Sequence, residues 1–419
     1  MAVYVSLGLF SAACCGLVAV ALQWIVVCRH MREAPCVARR RPPISILKPL
    51  CGIDDDLEAN LAVFAHLDYP EYEVVLGLGS EHDPAWRIAR GAARRWPGRF
   101  RVVLQRGEPG LNPKVNQLVT LAWAARNDIL VVSDSNVRVE PGYLDEIAAL
   151  LEDEGVGLVT HPIVGVGEAR LGSLLDHLHL TTCITPAVLA AKRLSGRDFV
   201  VGKSMAMRRS DLRALGGFEA VKDVLAEDYV IGLMVSSSLG KRVALGRQVV
   251  QNVSERRTLS DFVARYRRWG VLQRQAAGPL VYACGALLNP VLLAAAAAVV
   301  ARTPSALAAL AWTCAVKTAL DGASARALRA GGFPLRQLAL VPLKDLVFGM
   351  VWAYCFVRRD VAWRGRRIVV QRGTRIRAPD RAGALPLGAS PSAGWEASAG
   401  SISSRTGQPE SHRLAAGHL

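Results

Sequence analysis

Ile129-Leu130-Val131-Val132-Ser133-Asp134-Ser135-Asn136 is the stretch on which the fold turns. Four consecutive aliphatic residues read as a strand buried on both faces. The run stops at turn-favouring residues, which places Asp134 at the strand's C-terminal end. Open α/β sheets build their ligand sites along that edge. Working outward, Ile44-Ser45-Ile46-Leu47, Glu73-Val74-Val75-Leu76-Gly77-Leu78 and Arg101-Val102-Val103-Leu104 are further strand candidates. Helix-like stretches at 84–96 and 115–126 separate them, and 155–161 and 243–250 read as later strands of the same sheet. Strands alternating with helices predict an α/β domain over residues 43–275, with a mostly parallel, doubly wound sheet.

The chain has 419 residues, 51% of them hydrophobic, and a net charge of +16. A basic protein invites a nucleic-acid reading, but no recognition motif accompanies the charge here. The arginines cluster beside apolar segments instead, as suits a protein lying against anionic lipid head groups. The nine cysteines are scattered without a C-x-x-C pair, and several lie inside apolar runs. That pattern argues against a zinc site or a disulfide framework and is compatible with a reducing cytosol.

Residues 1–30 are almost uncharged and long enough to span a bilayer. Arg29, Arg32, Arg39, Arg40 and Arg41 follow, so the positive-inside rule predicts an N-terminal anchor with the next domain facing the cytoplasm. A second membrane region is expected at 278–357. Residues 279–300 and 305–320 are its spans, and 337–357 is interfacial or re-entrant because Pro342, Lys344 and Asp345 burden a lipid-facing helix. Two crossings would leave the arginine-rich segment after 357 in the cytoplasm. The Ala/Gly/Ser/Pro-rich residues 378–419 are expected to be disordered.

Five places carry candidate chemistry. Asp134 is an oxygen ligand of the kind Mg²⁺ or Mn²⁺ prefers, or an Asx turn. Asp83, in Glu81-His82-Asp83-Pro84, reads as a site carboxylate or as a helix cap before proline. Asp228 follows Glu227, and two desolvated neighbouring carboxylates raise each other's pKa, which favours a general base. Charges placed for a helix dipole give the same pattern. Gly110-Leu111-Asn112-Pro113-Lys114-Val115-Asn116 offers Lys114, Asn116 and backbone amides to a diphosphate, or is a plain loop-to-helix junction. In Arg265-Tyr266-Arg267-Arg268-Trp269, Arg265 and Arg268 share a helical face beside Trp269. Guanidinium groups suit a diphosphate and an indole suits a sugar ring, although a basic-aromatic interface helix looks alike.

As a set, Asp83, Asp134, Asp228 and Arg265-x-x-Arg268-Trp269 resemble the ceramide glucosyltransferase family of inverting, membrane-anchored glycosyltransferases. Leu47-Lys48-Pro49-Leu50-Cys51-Gly52, Leu67-Asp68-Tyr69-Pro70 and Asn112-Pro113-Lys114-Val115-Asn116 extend the likeness over residues 43–275. The resemblance implies a Rossmann-like GT-A domain, a UDP-sugar donor, a divalent cation and a lipid acceptor at a bacterial inner membrane. It implies that Asp83 meets the uridine and Asp134 the metal and diphosphate. Asp228 would be the base, and Arg265, Arg268 and Trp269 would hold the diphosphate and the acceptor end. Asn136 stands where many nucleotide-sugar transferases carry a second carboxylate, as in the ceramide-type branch. Bacterial members include hopanoid-associated enzymes that move N-acetylglucosamine from UDP-GlcNAc to bacteriohopanetetrol, and the Ala/Arg-rich composition leans that way. The competing readings are a ceramide glucosyltransferase using UDP-glucose, a processive polysaccharide synthase, a transporter, and a non-catalytic membrane scaffold. The short C-terminal membrane region speaks against the synthase, and the large hydrophilic domain against the transporter.

Overall fold

In the computed structural model, which describes residues 1–196, 198–363 and 366–377, Ile129–Ser133 is a strand with all five residues buried. The expected tail at 378–419 lies outside the described residues. The strands in chain order are β1 (Ile44–Pro49), β2 (Tyr72–Leu78), β3 (Phe100–Leu104), β4 (Ile129–Ser133), β5 (Val137–Arg138), β6 (Val156–Thr160) and β7 (Ile163–Val166). They continue with β8 (Ser204–Arg208), β9 (Arg242–Leu245), β10 (Val250–Val253), β11 (Asp360–Trp363), β12 (Arg366–Val370) and β13 (Ile376–Arg377).

The main sheet runs β3-β2-β1-β4-β8-β6-β9. β1 pairs in parallel with β2 and with β4, setting Ile46 opposite Val74 on one side and Val131 on the other. Side chains alternate across the pleat, so each strand feeds two cores. Ile46, Val74 and Val131 pack with Tyr143 and Ile147 on one face. Leu47, Val75, Leu130 and Val132 pack on the other face against Val115, Leu118 and Leu121 of the helix Pro113–Ala124. Burial on both faces is what the unbroken apolar run required.

The sheet is mixed, because β8 enters antiparallel between β4 and β6. Its sequence, Ser204-Met205-Ala206-Met207-Arg208, has little β-branched character and gave no strand signal. The expected strand at 243–250 is two strands in different sheets. β9 closes the main sheet beside β6, whereas β10 pairs with β5 and β7. Buried Glu146 causes the break, accepting the backbone N–H of Arg247 at 2.8 Å and of Gln248 at 2.9 Å. A carboxylate taking two backbone donors draws the chain out of its ladder.

The helix Ala2–Met31 is long and apolar enough to cross a membrane. It packs closely on the next apolar region: a Cβ at Gly16 would sit 2.3 Å from the Leu287 carbonyl oxygen. Small residues permit such approach between apolar helices. The segment expected as one span at 279–300 is bent by 81° between Pro279–Leu288 and Pro290–Ala301. Pro290 lacks an N–H and restricts the residue before it, so Asn289 leaves the helical region at φ −120°, ψ 74°. Its side chain then restarts the helix, accepting the Leu292 N–H at 3.1 Å.

The expected span at 305–320 is a 25-residue helix, Pro304–Leu328. Residues 337–357 contain the helix Val341–Tyr354, whose 14 residues are short for a bilayer. The helical stretch Leu171–Ser195 also passes by length and composition, but most of it is covered by protein. After Val341–Tyr354 the chain forms the small antiparallel sheet β11-β12-β13.

Candidate active site

At the C-terminal end of β4 the chain places Asp134 between two lysines. Lys114 Nζ is 3.0 Å from Oδ1 and Lys203 Nζ is 2.9 Å from Oδ2. Lys114 stands in the first turn of Pro113–Ala124, a helix N-capped by Asn112, whose Oδ1 accepts the N–H of Lys114 and Val115. The junction reading of residues 110–116 describes this segment. Lys114 Nζ also reaches Glu227 Oε1 at 2.9 Å, which brings in the first turn of the helix Glu227–Leu239 and with it Asp228. Asp134, Lys114, Glu227 and Asp228 therefore form one cluster, built from sequence positions more than 110 residues apart.

The charges in this cluster set one another. Burial opposes ionisation of Asp134, but the two ammonium groups outweigh it and hold the carboxyl below its usual range. Burial likewise opposes the charge on Lys114, yet Asp134 and Glu227 hold it above the usual lysine range. Asp228 goes the other way. Burial and the adjacent Glu227 charge push it up to about 6, against the pull of Lys114 and the N–H groups of Tyr229 and Gly202. Those two donors lie 2.8 Å from Oδ1 and Oδ2 respectively. Gly202 is required at that spot, because a Cβ there would fall 2.5 Å from Asp228 Oδ2.

Lys203, Lys48 and Asp54 are parts of this site that sequence reasoning did not assign to it, and Glu227 entered it only as the neighbour of Asp228. Lys203 donates to Asn136 Oδ1 at 2.6 Å, and Asn136 Nδ2 binds the Val253 carbonyl at 3.1 Å. The residue standing where a second carboxylate was considered thus orients a lysine and ties β10 to the site. Lys48, in the Leu47-Lys48-Pro49 motif, is fully buried over the Phe64 ring and donates to Ser133 Oγ and the Asp134 carbonyl. Burial pushes it down to about 7, partly offset by Asp134. Asp54 accepts from the Ser135 hydroxyl. The available signal was the clustering of lysines around glycine and proline turns at strand ends.

Other expected residues have different immediate partners. Asp83 accepts the Gly52 N–H at 3.0 Å and the Ala85 N–H at 2.8 Å, bracing the loop after β1 and the turn before Trp86–Arg95. Asn116, expected to touch the nucleotide, binds both the N–H and the carbonyl of Gly110 at 2.9 Å. Both of its polar atoms are used in holding the loop, so it shapes the site and does not extend into it. Arg265, expected at the diphosphate, is buried and donates to Asp176 Oδ2 at 3.0 Å, while Tyr266 donates to Oδ1 at 2.8 Å. Asp176 is fully buried, so its charge needs that partner. Burial lowers the Lys203 pKa, Asp134 opposes this, and the Arg265 charge adds to the lowering, which sets the helix Leu259–Ala277 beside the cluster. Trp269 is half-buried, with the Arg265 guanidinium 4.8 Å from its ring centre, and Arg268 is half-buried next to it.

The described residues contain no group of three His, Cys, Asp or Glu side chains able to hold a metal. Asp134 is a candidate ligand, 23% exposed, and its two oxygens now face Lys114 and Lys203, which would shift toward the phosphates if a cation took their place. A single carboxylate suits Mg²⁺ or Mn²⁺ only when phosphate oxygens and waters complete the shell. A separate cavity of about 690 Å³, bordered by Met31, Cys36, Arg247 and Arg329, touches none of these residues.

Comparison with known proteins agrees with the motif reading. The chain is 30% identical over 230 residues to ceramide glucosyltransferase 1 of Caenorhabditis elegans, covering 54% of this chain and 49% of that protein. It is 30% identical over 191 residues to ceramide glucosyltransferase of Komagataella phaffii, covering 40% and 38%. The chain thus spans about half the length, or less, of these curated relatives. Among solved structures, a mannosyltransferase from Pyrobaculum calidifontis in complex with GDP-Man and Mn²⁺ aligns over 84% of this chain and 99% of its own, at 19% identity and a TM-score of 0.49. The family model for glycosyl transferase family 21 matches residues 8–376, nearly the whole described chain, and the protein belongs to that family.

Proposed function

We propose that the protein is an inverting glycosyltransferase that moves a sugar from a UDP-sugar to a hydroxyl of a membrane lipid. The observation that carries this reading is the Lys114 bridge, which joins Asp134 at the sheet edge to the Glu227-Asp228 turn. It sets a cationic locus next to a carboxylate of raised pKa. Displacement at an anomeric carbon needs both, a base on the attacking side and positive charge on the leaving side. Asp228 takes the proton of the acceptor hydroxyl as its oxygen bonds to the anomeric carbon. The bond from that carbon to the diphosphate breaks, and UDP leaves with the electron pair. Lys114 and Lys203 face the departing diphosphate, while Asp83 and Asn116 hold the loops around the nucleotide. Asp134 would hold a divalent cation together with the phosphates, and such a cation supplies charge neutralisation to the leaving group.

Membrane attachment through Ala2–Met31 sets this site near a lipid surface, and the helix carrying Arg268 and Trp269 leads directly into the apolar region. An even number of crossings within 278–357 is the reading we adopt. It is supported by the backbone pairing of residues 374–376 with 223–225, which keeps both ends of that region on the catalytic side. The positive-inside pattern then makes that side the cytoplasm of a bacterial inner membrane. Within the lipid class, N-acetylglucosamine transfer to bacteriohopanetetrol is the specific reaction we put forward. The named relatives favour glucose transfer to ceramide as the second reading.

Incubating the detergent-solubilised protein with UDP-GlcNAc or UDP-glucose and either lipid, with and without EDTA, tests the proposal. A glycolipid of inverted anomeric configuration, seen by mass spectrometry and NMR and lost with EDTA, is expected from one donor and lipid pair. No consumption of either donor would sink the transferase reading. Gly202→Ala is expected to lower turnover about 10–100-fold at unchanged melting temperature, since displacing a reacting group by about 1 Å costs that much. Wild-type turnover in that variant would mean that Asp228 need not sit where it does.

A further inference from the structure

Residues 222–225 lead into the Glu227-Asp228 turn, and their backbone is bonded on two sides. On one side they hold the 110–116 loop that leads to Lys114, the donor loop of the proposed reaction. The Asn112 N–H binds the Lys222 carbonyl at 2.8 Å, the Leu111 N–H binds Asp223 Oδ1 at 2.8 Å, and Asn112 Nδ2 binds the Val224 carbonyl at 2.6 Å. On the other side they meet the chain that returns from the membrane region. The Leu225 N–H donates to the Thr374 carbonyl at 2.9 Å, the Ile376 N–H donates to the Asp223 carbonyl at 2.8 Å, and Val224 and Arg375 form an antiparallel bridge. Residues 222–225 are thus a short central rung between two segments more than 250 residues apart in sequence.

Two further observations show that the returning segment is held firmly. Thr374 is fully buried and has φ of 59°, a left-handed conformation that a β-branched residue adopts only when its surroundings enforce it. Leu225 packs in one apolar cluster with Val370 and Ile376 of the returning chain and with Phe262 and Tyr266. The last two belong to the helix that carries Arg265, Arg268 and Trp269. The same few residues therefore touch both the base-bearing turn and the cationic helix.

We infer that residues 371–377 are a positioning strap, which holds the loop before Asp228 in register with the donor loop and with the Arg265–Trp269 helix. Thr374 and Ile376 are its positioning residues, acting through Leu225 and Asp223, and neither is a catalytic residue. The strap ties the end of the membrane region to the reacting groups, so the two halves of the chain assemble one site. The inference rests on the transferase reading for its consequence, but its structural content stands apart from it.

Ile376→Pro removes the N–H that the Asp223 carbonyl accepts, and Arg372→Ala trims an exposed side chain of the same segment while leaving that bond in place. Hydrogen exchange of the full chain in detergent reads the Leu225 amide directly. Ile376→Pro, and Ile376→Ala as the second variant, which keeps the N–H but removes the side chain packed in the Leu225 cluster, are expected to speed exchange at 222–229 at least tenfold. They are also expected to lower kcat about tenfold and move the acid limb of the pH profile. Arg372→Ala should leave all three as in the wild type. Unchanged exchange at Leu225 in both disruptive variants overturns the strap, as does faster exchange with kcat and pH profile intact. If the wild type itself turns over no UDP-sugar, the transferase reading fails, and the exchange result still decides the strap.

Discussion

Asp228→Asn is expected to lower kcat about 10²–10⁴-fold, the range a positioned general base contributes. The substitution keeps nearly the same volume and an oxygen for the Gly202 N–H but sets an NH2 against the Tyr229 N–H, so the melting temperature is read beside the rate to separate the lost proton acceptor from a local rearrangement. Lys114 retains its partners Asp134 and Glu227, and the cluster should stay assembled. The wild type should also show a distinctive pH dependence. Asp228 is pushed up to about 6, chiefly by burial and then by Glu227, so its basic form accumulates only above that pH. Turnover should therefore fall as pH drops through 6, along a limb of one proton. The sign for stability is opposite to that of a carboxylate held low by a cation. A carboxyl raised above its unfolded value binds its proton more tightly in the folded state, so this group favours folding most below about pH 4 and loses that contribution as pH rises to about 6. A non-catalytic scaffold would show neither the Asn effect nor the acid limb. Turnover within threefold of wild type in Asp228→Asn would remove Asp228 as the base.

Asp321→Ala is expected to destabilise the protein by about 3–5 kcal/mol, the cost of stripping one partner from a buried ion pair. Asp321 is fully buried and accepts from Lys317 Nζ at 2.6 Å, Lys344 Nζ at 3.1 Å and Thr182 Oγ1 at 2.8 Å. Asp345 completes the group, 2.9 Å from Lys344 and 3.5 Å from Lys317. Two ammonium groups and two carboxylates thus neutralise one another among apolar helices, where unpaired charge is most expensive. Removing Asp321 leaves both lysines to Asp345 alone. The melting temperature in detergent should drop on the order of 10 °C, with Thr182→Val costing much less because it removes a single neutral donor. An unchanged melt for Asp321→Ala would show that water or lipid head groups reach this cluster.

The charges just described illustrate how far sequence reading carries. Lys344 and Asp345 were visible as interruptions of an apolar run and argued against a simple lipid-facing helix at 337–357, whereas 305–320 read as a span although Lys317 and Asp321 lie at its end. What no local pattern encoded was that helices Pro304–Leu328 and Val341–Tyr354 would meet so that the four cancel. The bend at Asn289-Pro290 was legible in principle from the proline, but a 22-residue, largely apolar segment at 279–300 outweighed it as a span signal. At the candidate site, Asp134, Lys114 and Asp228 stood out because each sits where an element begins or ends. Lys203 did not, because β8 lacks strand-forming residues and its antiparallel placement depends on β4 and β6. The roles of Asn116 and Arg265 likewise turned on partners, Gly110 and Asp176, that no spacing rule selects.

Hydrophobic periodicity and turn chemistry, which act over a few residues, determined the α/β class, β1 to β4, the N-terminal apolar helix and the positions of the principal carboxylates. These are properties of the chain alone, since burying an apolar run or ending a strand at Asp-Ser needs no distant partner. The tertiary structure decided which charges face one another, which amides serve as braces, where Glu146 breaks the sheet, and that residues 374–376 return to the catalytic loop. Those outcomes depend on which ion pairs and hydrogen-bond partners the fold brings together, some near in sequence, as Gly110 and Asn116, and others far apart, as Glu146 and Arg247. Their strength comes from burial that exists only once the chain has folded.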